Sequence, residues 1–182
     1  MLAAGLVALI AVLGLLNARP PSRAATLAAS QTLIQARRYD EAGRRLEALL
    51  RRSPGDGEAW VTLGGLRGVQ GRDDEAAAAF AKVQGPPPAR ACAQALLAEI
   101  HLKRRHAAAA EAALKAALQA DPGHFDAHRR LFYLLNMERR DDEARQVLWD
   151  LYQRTGNPRQ LITIGGVTLA ALDTRDPHPE LL

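Results

Sequence analysis

The side chains that could do chemistry in this chain are few and far apart. There is one cysteine, Cys92, so no internal disulfide can form, and nothing pairs with it in a recognisable nucleophile motif. A lone cysteine in an alanine-rich stretch reads as a small core residue. His124 and His128 are four residues apart with Asp126 between them, a spacing that brings two imidazoles toward one metal ion on a helix face. No third ligand is in view, so no metal is expected there. His101 and His106 read as a helix-face residue and a turn residue. No Gly-rich phosphate loop follows a strand, because no alternating apolar–polar run is long enough to make one. The chain is therefore read as not an enzyme, with no catalytic residue, metal or cofactor.

Charge offers more. Twenty-four Lys and Arg face twenty Asp and Glu, for a formal net charge of +4. Six arginine pairs occur, at 37–38, 44–45, 51–52, 104–105, 129–130 and 139–140. Such a surface suits nucleic acid or anionic lipid. Acidic residues are interspersed, however, and no aromatic–basic interleaving suggests base stacking, which argues against nucleic acid. The plainer reading is a solvated exterior in an Arg-biased chain, since only Lys82, Lys103 and Lys115 are lysines. With so much alanine, that bias resembles the codon bias of a GC-rich bacterial genome.

The elements that would position these residues are helices. A length of 182 residues suggests one domain with a real core. Apolar residues make up 48 % but aromatics only 4 %, so Ala and Leu must supply that core, which suits close helix packing. The organising signal is a period of 34 residues without insertions. A small slot reads Ala42, Ala76, Ala110, Ala144; a large apolar slot four residues on reads Leu46, Phe80, Leu114, Leu148; and the end of the unit reads Pro54, Pro88, Pro122, then Gly156 with Pro158 close by. A small residue lets two helices of a hairpin cross closely, the large residue lies one turn further on the same face, and proline ends the second helix. One hairpin cannot bury its own apolar face, so neighbours must stack. The proline run Gly85-Pro86-Pro87-Pro88 predicts a shortened second helix and the largest irregularity of the stack.

Trp60, Leu63, Gly64, Gly71, Ala76, Phe80 and Pro88 together make residues 57–90 resemble the tetratricopeptide repeat, a unit of two antiparallel helices. The other units, 23–56, 91–124 and 125–158, keep the second helix well and the first loosely. Thr26, Gln94 and His128 fill the Trp slot, and Arg37, Arg105 and Arg139 the Gly71 slot in the interhelix turn, which puts the turn geometry in question. The His124–His128 pair straddles a unit junction, a further argument against a metal.

The resemblance implies an all-α fold, a right-handed α-α superhelix or solenoid of four helix hairpins, with a groove lined by the first helices. By position that groove takes Leu27, Gln31 and Ile34 from the first repeat and Val61, Gly65 and Val69 from the second. The third gives Ala95, Glu99, Leu102 and Lys103, and the fourth Arg129, Tyr133, Asn136 and Met137. It would be apolar at one end and mixed and aromatic at the other. Tyr133 is expected to anchor a partner's peptide and Arg129 to orient an acidic group on it, unless Tyr133 packs between repeats three and four. The Lys, Arg and Asn set with which some members grip a C-terminal carboxylate is absent: Leu27 and Gln31 stand where its first Lys and Asn would be.

Outside the repeats, residues 1–18 carry no charged side chain, and 2–16 read LAAGLVALIAVLGLL. A spanning helix needs about 17–25 apolar residues and a signal-peptide core about 7–15. The segment is read as an N-terminal hydrophobic helix, an uncleaved single-pass membrane anchor. The alternative is a signal cleaved at Ser22-Arg23-Ala24, giving an exported protein. Residues 19–22 form a stiff linker. Arg19 and Arg23 favour a cytoplasmic array, whereas a basic start upstream would reverse the orientation. Residues 159–172, with Leu161, Ile162, Leu169 and Leu172 apolar, are expected to form a C-terminal capping helix, and 173–182 a tail. The function so read is a protein–protein interaction scaffold at a bacterial membrane. The alternatives are a regulatory or substrate-recruiting N-terminal part of a larger enzyme or transport assembly, or a basic nucleic-acid-binding solenoid.

Overall fold

Ser22 starts the array. Its hydroxyl accepts the Ala25 N–H at 3.2 Å, which satisfies one of the donors a helix leaves free at its N-terminus, and helix α1 runs Arg23–Gln35. The computed structural model describes residues 21–157, 159, 160 and 164. Within them follow α2 Tyr39–Arg52, α3 Gly57–Val69, α4 Asp73–Ala81, α5 Pro87–Lys103, α6 Ala107–Ala120, α7 Phe125–Met137 and α8 Asp141–Thr155. No strand occurs among the described residues. Asp56 and His124 cap α3 and α7 in the same way as Ser22, accepting the N–H of Ala59 at 3.1 Å and of Ala127 at 3.2 Å. α5 opens on Pro87 instead, where a missing N–H costs nothing.

The helices pair into hairpins, α1 with α2, α3 with α4, α5 with α6 and α7 with α8, and each hairpin turns through one left-handed residue. Gly71 takes that conformation at φ 74°, and Arg37, Arg105 and Arg139 take it at φ 59°, 59° and 62°. In every turn this residue's N–H bonds the carbonyl three back, and the next residue's N–H bonds the carbonyl five back. Arg37 thus donates to Ile34 at 3.0 Å and Arg38 to Leu33 at 2.8 Å; Arg139 donates to Asn136 at 3.1 Å and Arg140 to Leu135 at 2.9 Å. That is the Schellman motif, which satisfies the last carbonyls of the first helix. Arginine in place of glycine therefore leaves the turn geometry intact and adds only the crowding of a Cβ at positive φ.

Packing follows the 34-residue phase. Ala42, Ala76, Ala110 and Ala144 are buried at each hairpin's crossing, and Leu46, Phe80, Leu114 and Leu148 are buried beside them. The buried apolar residues gather in one cluster over α1, α2 and α3, a second over α3, α4 and α5, and a third over α5 to α8. First helices touch the first helix of the next hairpin: α1 meets α3, α3 meets α5, and α5 meets α7. The second helices make no comparable contact with one another, so the first helices lie on the inside of the stack and the second helices on the outside.

The proline run does shorten one helix. α4 has 9 residues, where α2, α6 and α8 have 14, 14 and 15. Pro88 has a different role from Pro54 and Pro122, however. α4 has already ended at Ala81, and Pro87-Pro88 form the first turn of the next helix, which lengthens α5 to 17 residues.

The helix-surface charges also pair differently from their i,i+4 spacing on α2. Glu41 binds Arg38 rather than Arg45. Glu47 reaches Arg67 on α3 at 2.6 Å rather than Arg51, because the Arg67 side chain is only 13 % exposed and gains more from a partner than a fully solvated arginine does. Among the described residues no helix is long and apolar enough to cross a membrane. The segment 1–18, most of the expected capping helix 159–172 and the tail 173–182 lie outside the described residues. Arg159, Gln160 and Ile164 are helical, and Ile164 is buried against the third cluster.

Candidate binding groove

The inner surface opens between α3 and α5. Along α3, Val61, Gly65, Gly68 and Val69 form one stripe; along α5, Ala89, Cys92, Leu96, Glu99 and Lys103 form another, and the two line the same pair of cavities. The first, of about 740 Å³, lies at the helix starts and is bounded by Pro86, Pro88, Gly85, Val61, Ala89 and Cys92, with Arg23, Asp56 and Glu58 at its edge. The second, of about 410 Å³, lies at the helix ends under Gly65, Gly68, Val69, Leu96, Glu99 and Lys103.

Two features of the sequence make this space. A Cβ built on Gly65 or Gly68 would meet nothing within 4 Å, so the missing side chains leave a notch on the groove side of α3. The truncated α4 and the extended Gly85-Pro86 connection, with Pro86 at ψ 151°, hold the first cavity open at the other end.

The charged groups on the rim are already engaged within the array. Arg23 bridges Asp56 at 2.6 Å and Glu58 at 2.7 Å. Burial alone would raise the pKa of Asp56, yet the Arg23 guanidinium and the Ala59 N–H hold its carboxyl below the usual carboxylate range. Glu99 accepts from Arg130 on α7 at 2.9 Å, and Lys103 lies 3.5 Å from Asp73 at the start of α4. What the groove offers a ligand is therefore an apolar floor between paired charges. Cys92 is half-buried in the wall of the first cavity rather than in the core. Burial pushes its thiol up, which keeps it protonated and poorly nucleophilic.

The structure gathers some of the sequence-predicted residues and disperses others. Val61, Gly65, Val69, Glu99 and Lys103 meet around the two cavities. Leu27 and Ala95 do not, since both are buried in helix–helix core; their slot faces the neighbouring helix wherever the hairpins close tightly. Ile34 and Leu102 pack half-buried against the first and third clusters, and Gln31 is exposed.

On α7, Arg129 is occupied by Asp126 at 2.6 Å, and Asn136 donates to the Phe132 carbonyl at 2.9 Å. Tyr133 is 47 % exposed. Its ring stands edge-on to Phe132, and its hydroxyl donates to the carbonyl of Ile164, so it is engaged with Ile164 instead of standing free or packing between repeats three and four. Met137 is 83 % exposed and Val69 62 %, in the same slot two units apart.

Gly68, Ala89, Cys92 and Leu96 were not anticipated as groove residues; the three glycines within five residues of α3 and the triple proline are the signals that mark the place. The histidine pair is spent on structure. His124 caps α7, and the nitrogens of the buried His128 ring face the Pro122 carbonyl at 2.9 Å and the Val147 carbonyl at 3.2 Å. Among the described residues no group of three His, Cys, Asp or Glu side chains could hold a metal ion.

A family model for the tetratricopeptide repeat matches the chain over residues 27–91 and 95–157. Among solved structures, MamA superposes with a TM-score of 0.57 at 20 % identity, covering 75 % of this chain and 80 % of that one. A thermophilic tetratricopeptide repeat protein of Thermus thermophilus superposes with a TM-score of 0.55 at 21 % identity, over 74 % of this chain and 75 % of that one. YrrB, described as having an unusual peptide-binding site, does so with a TM-score of 0.53 at 17 % identity, over 86 % and 80 %. At these identities the likeness is one of fold. No curated protein matches the chain.

Proposed function

The chain belongs to the tetratricopeptide repeat family, and from that premise we propose that it is a non-enzymatic protein–protein interaction scaffold whose groove between α3 and α5 takes a peptide segment of a partner. The observation that carries this reading is the notch at Gly65 and Gly68, roofed by no side chain and walled by Val69 and Leu96. A single large apolar side chain of a helical or extended peptide would fill it, and burying such a side chain yields about 1.5–3 kcal/mol. The likeness to YrrB supports a peptide as the ligand class. The centre of recognition is accordingly placed on repeats two and three, while Tyr133 and Arg129 contribute less because both are engaged within the chain.

Peptides selected from a displayed random library against the full chain test this. They should carry a bulky apolar residue and lose at least about tenfold in affinity on Gly68→Leu or Val69→Asp. Selected peptides that bind both variants as they bind the parent would place the site elsewhere.

The same reading puts the array at a bacterial membrane, tethered by residues 1–18. Its support is the uncharged run itself, together with the start of α1. Cleavage after Ala24 would remove the Ser22 cap and the Arg23 bridge to Asp56 and Glu58, so an uncleaved N-terminus fits the fold better than a signal removed at that point. Membrane fractionation with high-salt extraction tests the tether. A soluble chain whose mature N-terminus is Ala25 would contradict it.

A further inference from the structure

Helix α2 turns Ala42, Leu46, Leu49 and Leu50 into the core and leaves its opposite side to solvent on the outside of the stack. On that side stand Arg44, Arg45, Arg51 and Arg52, all exposed and spaced so that they form one stripe around Ala48. None of the four makes an ion pair or hydrogen bond among the described residues. Four arginines elsewhere, Arg67, Arg104, Arg130 and Arg140, each hold a carboxylate of a neighbouring helix; Arg37, Arg90, Arg105, Arg139 and Arg154 are also without one among the described residues, but no two of them share a helix.

Neither the repeat nor a general arginine bias accounts for the stripe. Shifted by 34, 68 or 102 residues, the four slots hold Ala, Gly, Pro, Gln and Val, with Arg154 the one basic residue among them. Position adds a second observation. Arg45, Ala48, Arg51 and Arg52 line a cavity of about 400 Å³ together with Thr26 and Pro21, and Pro21 is where the chain arrives from the uncharged run 1–18. The unpaired arginines therefore lie beside Pro21, three residues along the sequence from the uncharged run, on an outer helix of the stack and not on the α3–α5 groove.

We propose that the α2 stripe docks on the anionic headgroups of a membrane surface, an inference that rests on the membrane tether proposed above. Guanidinium forks match lipid phosphates in bidentate geometry. The attraction reaches only about a Debye length, roughly 8 Å at physiological salt, so it acts on the residues beside the segment and not on the rest of the array. An apolar segment of marginal spanning length plus an adjacent basic patch is a two-signal anchor. It fixes the array's orientation with the groove free for a partner. Nucleic acid is the competing ligand, and the stripe offers no aromatic side chain for base stacking.

Flotation of the full chain with two kinds of vesicle tests this, one of phosphatidylcholine alone and one with phosphatidylglycerol added. The chain should partition about tenfold or more better into the anionic vesicles at low salt, and added salt should erase the difference. Arg45→Glu/Arg51→Glu/Arg52→Glu should bind both vesicles alike, with a circular dichroism melt like the parent's. The four-fold Arg→Gln variant at 44, 45, 51 and 52 gives the same readout if charge reversal disturbs the fold.

Equal binding of the parent to both vesicles overturns the stripe and leaves the tether standing. Binding to neither overturns both, and binding to the anionic vesicles alone supports the stripe while removing the tether. An anionic preference that persists in both variants puts the contact elsewhere. Displacement from anionic vesicles by a labelled oligonucleotide that depends on the same arginines makes nucleic acid the ligand and overturns the proposal.

Discussion

A Cβ placed on Gly64 of α3 would stand 2.4 Å from Cε1 of Phe80 on α4: the absent side chain and the ring occupy one space. Gly64→Ala should destabilise the array by about 1–3 kcal/mol, because the buried ring must move, with part of that loss offset by better helix propensity, about 1 kcal/mol. Gly65→Ala and Gly68→Ala meet open space and should instead add up to about 1 kcal/mol while narrowing the groove. Urea unfolding of the three variants checks this. A Gly64→Ala variant as stable as Gly65→Ala would contradict the packing.

At the hairpin crossings, Ala76 and Ala110 are fully buried. Ala76→Leu or Ala110→Leu should cost about 1–3 kcal/mol by overpacking, seen as lower thermal midpoints. Ala78→Leu, on an exposed turn of the same helix α4, should leave the midpoint near the parent's.

The left-handed turn residues give a stabilising series. Arg37, Arg105 and Arg139 are exposed, and among the described residues their side chains make no hydrogen bond or ion pair that glycine would lose. Each Arg→Gly change should therefore add about 0.5–1 kcal/mol, the relief of a Cβ at positive φ less the extra entropy of an unfolded glycine. Gly71→Arg should cost a similar amount. Melting temperatures that fall in all three Arg→Gly variants would show that the arginines contribute something the turn itself does not.

Acid should reveal the link between the third and fourth hairpins. Arg140, then Lys115, hold the Glu111 carboxyl down from 4.5 to about 2. A depressed carboxylate stabilises the folded state fully above its unfolded pKa and loses that contribution as pH falls through the folded value. Stability should thus drop between about pH 4.5 and 2. Glu111→Gln should lower stability at pH 7 by about 1–2 kcal/mol and flatten that part of the pH profile. A variant with the parent's full acid slope would assign the slope to other carboxylates.

Tyr133→Phe keeps the ring against Phe132 and removes the donor to the Ile164 carbonyl. It should cost about 1 kcal/mol and speed hydrogen exchange in the segment around Ile164, with little change in the binding of groove peptides. Lost peptide binding with unchanged exchange would return Tyr133 to the role of a ligand anchor.

The sequence by itself determined the helices and their pairing. Each crossing alanine and each large residue one turn on lies within one unit, and a contact repeated every 34 residues prints itself on the chain. The turn was legible only at Gly71; at Arg37, Arg105 and Arg139 the sequence left the geometry open, and the structure shows the same left-handed residue there. Only the tertiary structure decided the rest, because it depends on separations that no local pattern encodes. Leu27 and Ala95 share a slot with Val61, yet they are buried where the hairpins close, while Val61 faces a cavity because α4 stops early and Gly85-Pro86 hold the next helix away. Glu47 chose Arg67, twenty residues distant and largely desolvated, over Arg51 one turn away in water. That choice left Arg51 without a carboxylate among the described residues, so a stripe that reads in sequence as ordinary helix-surface charge became an uncompensated one there.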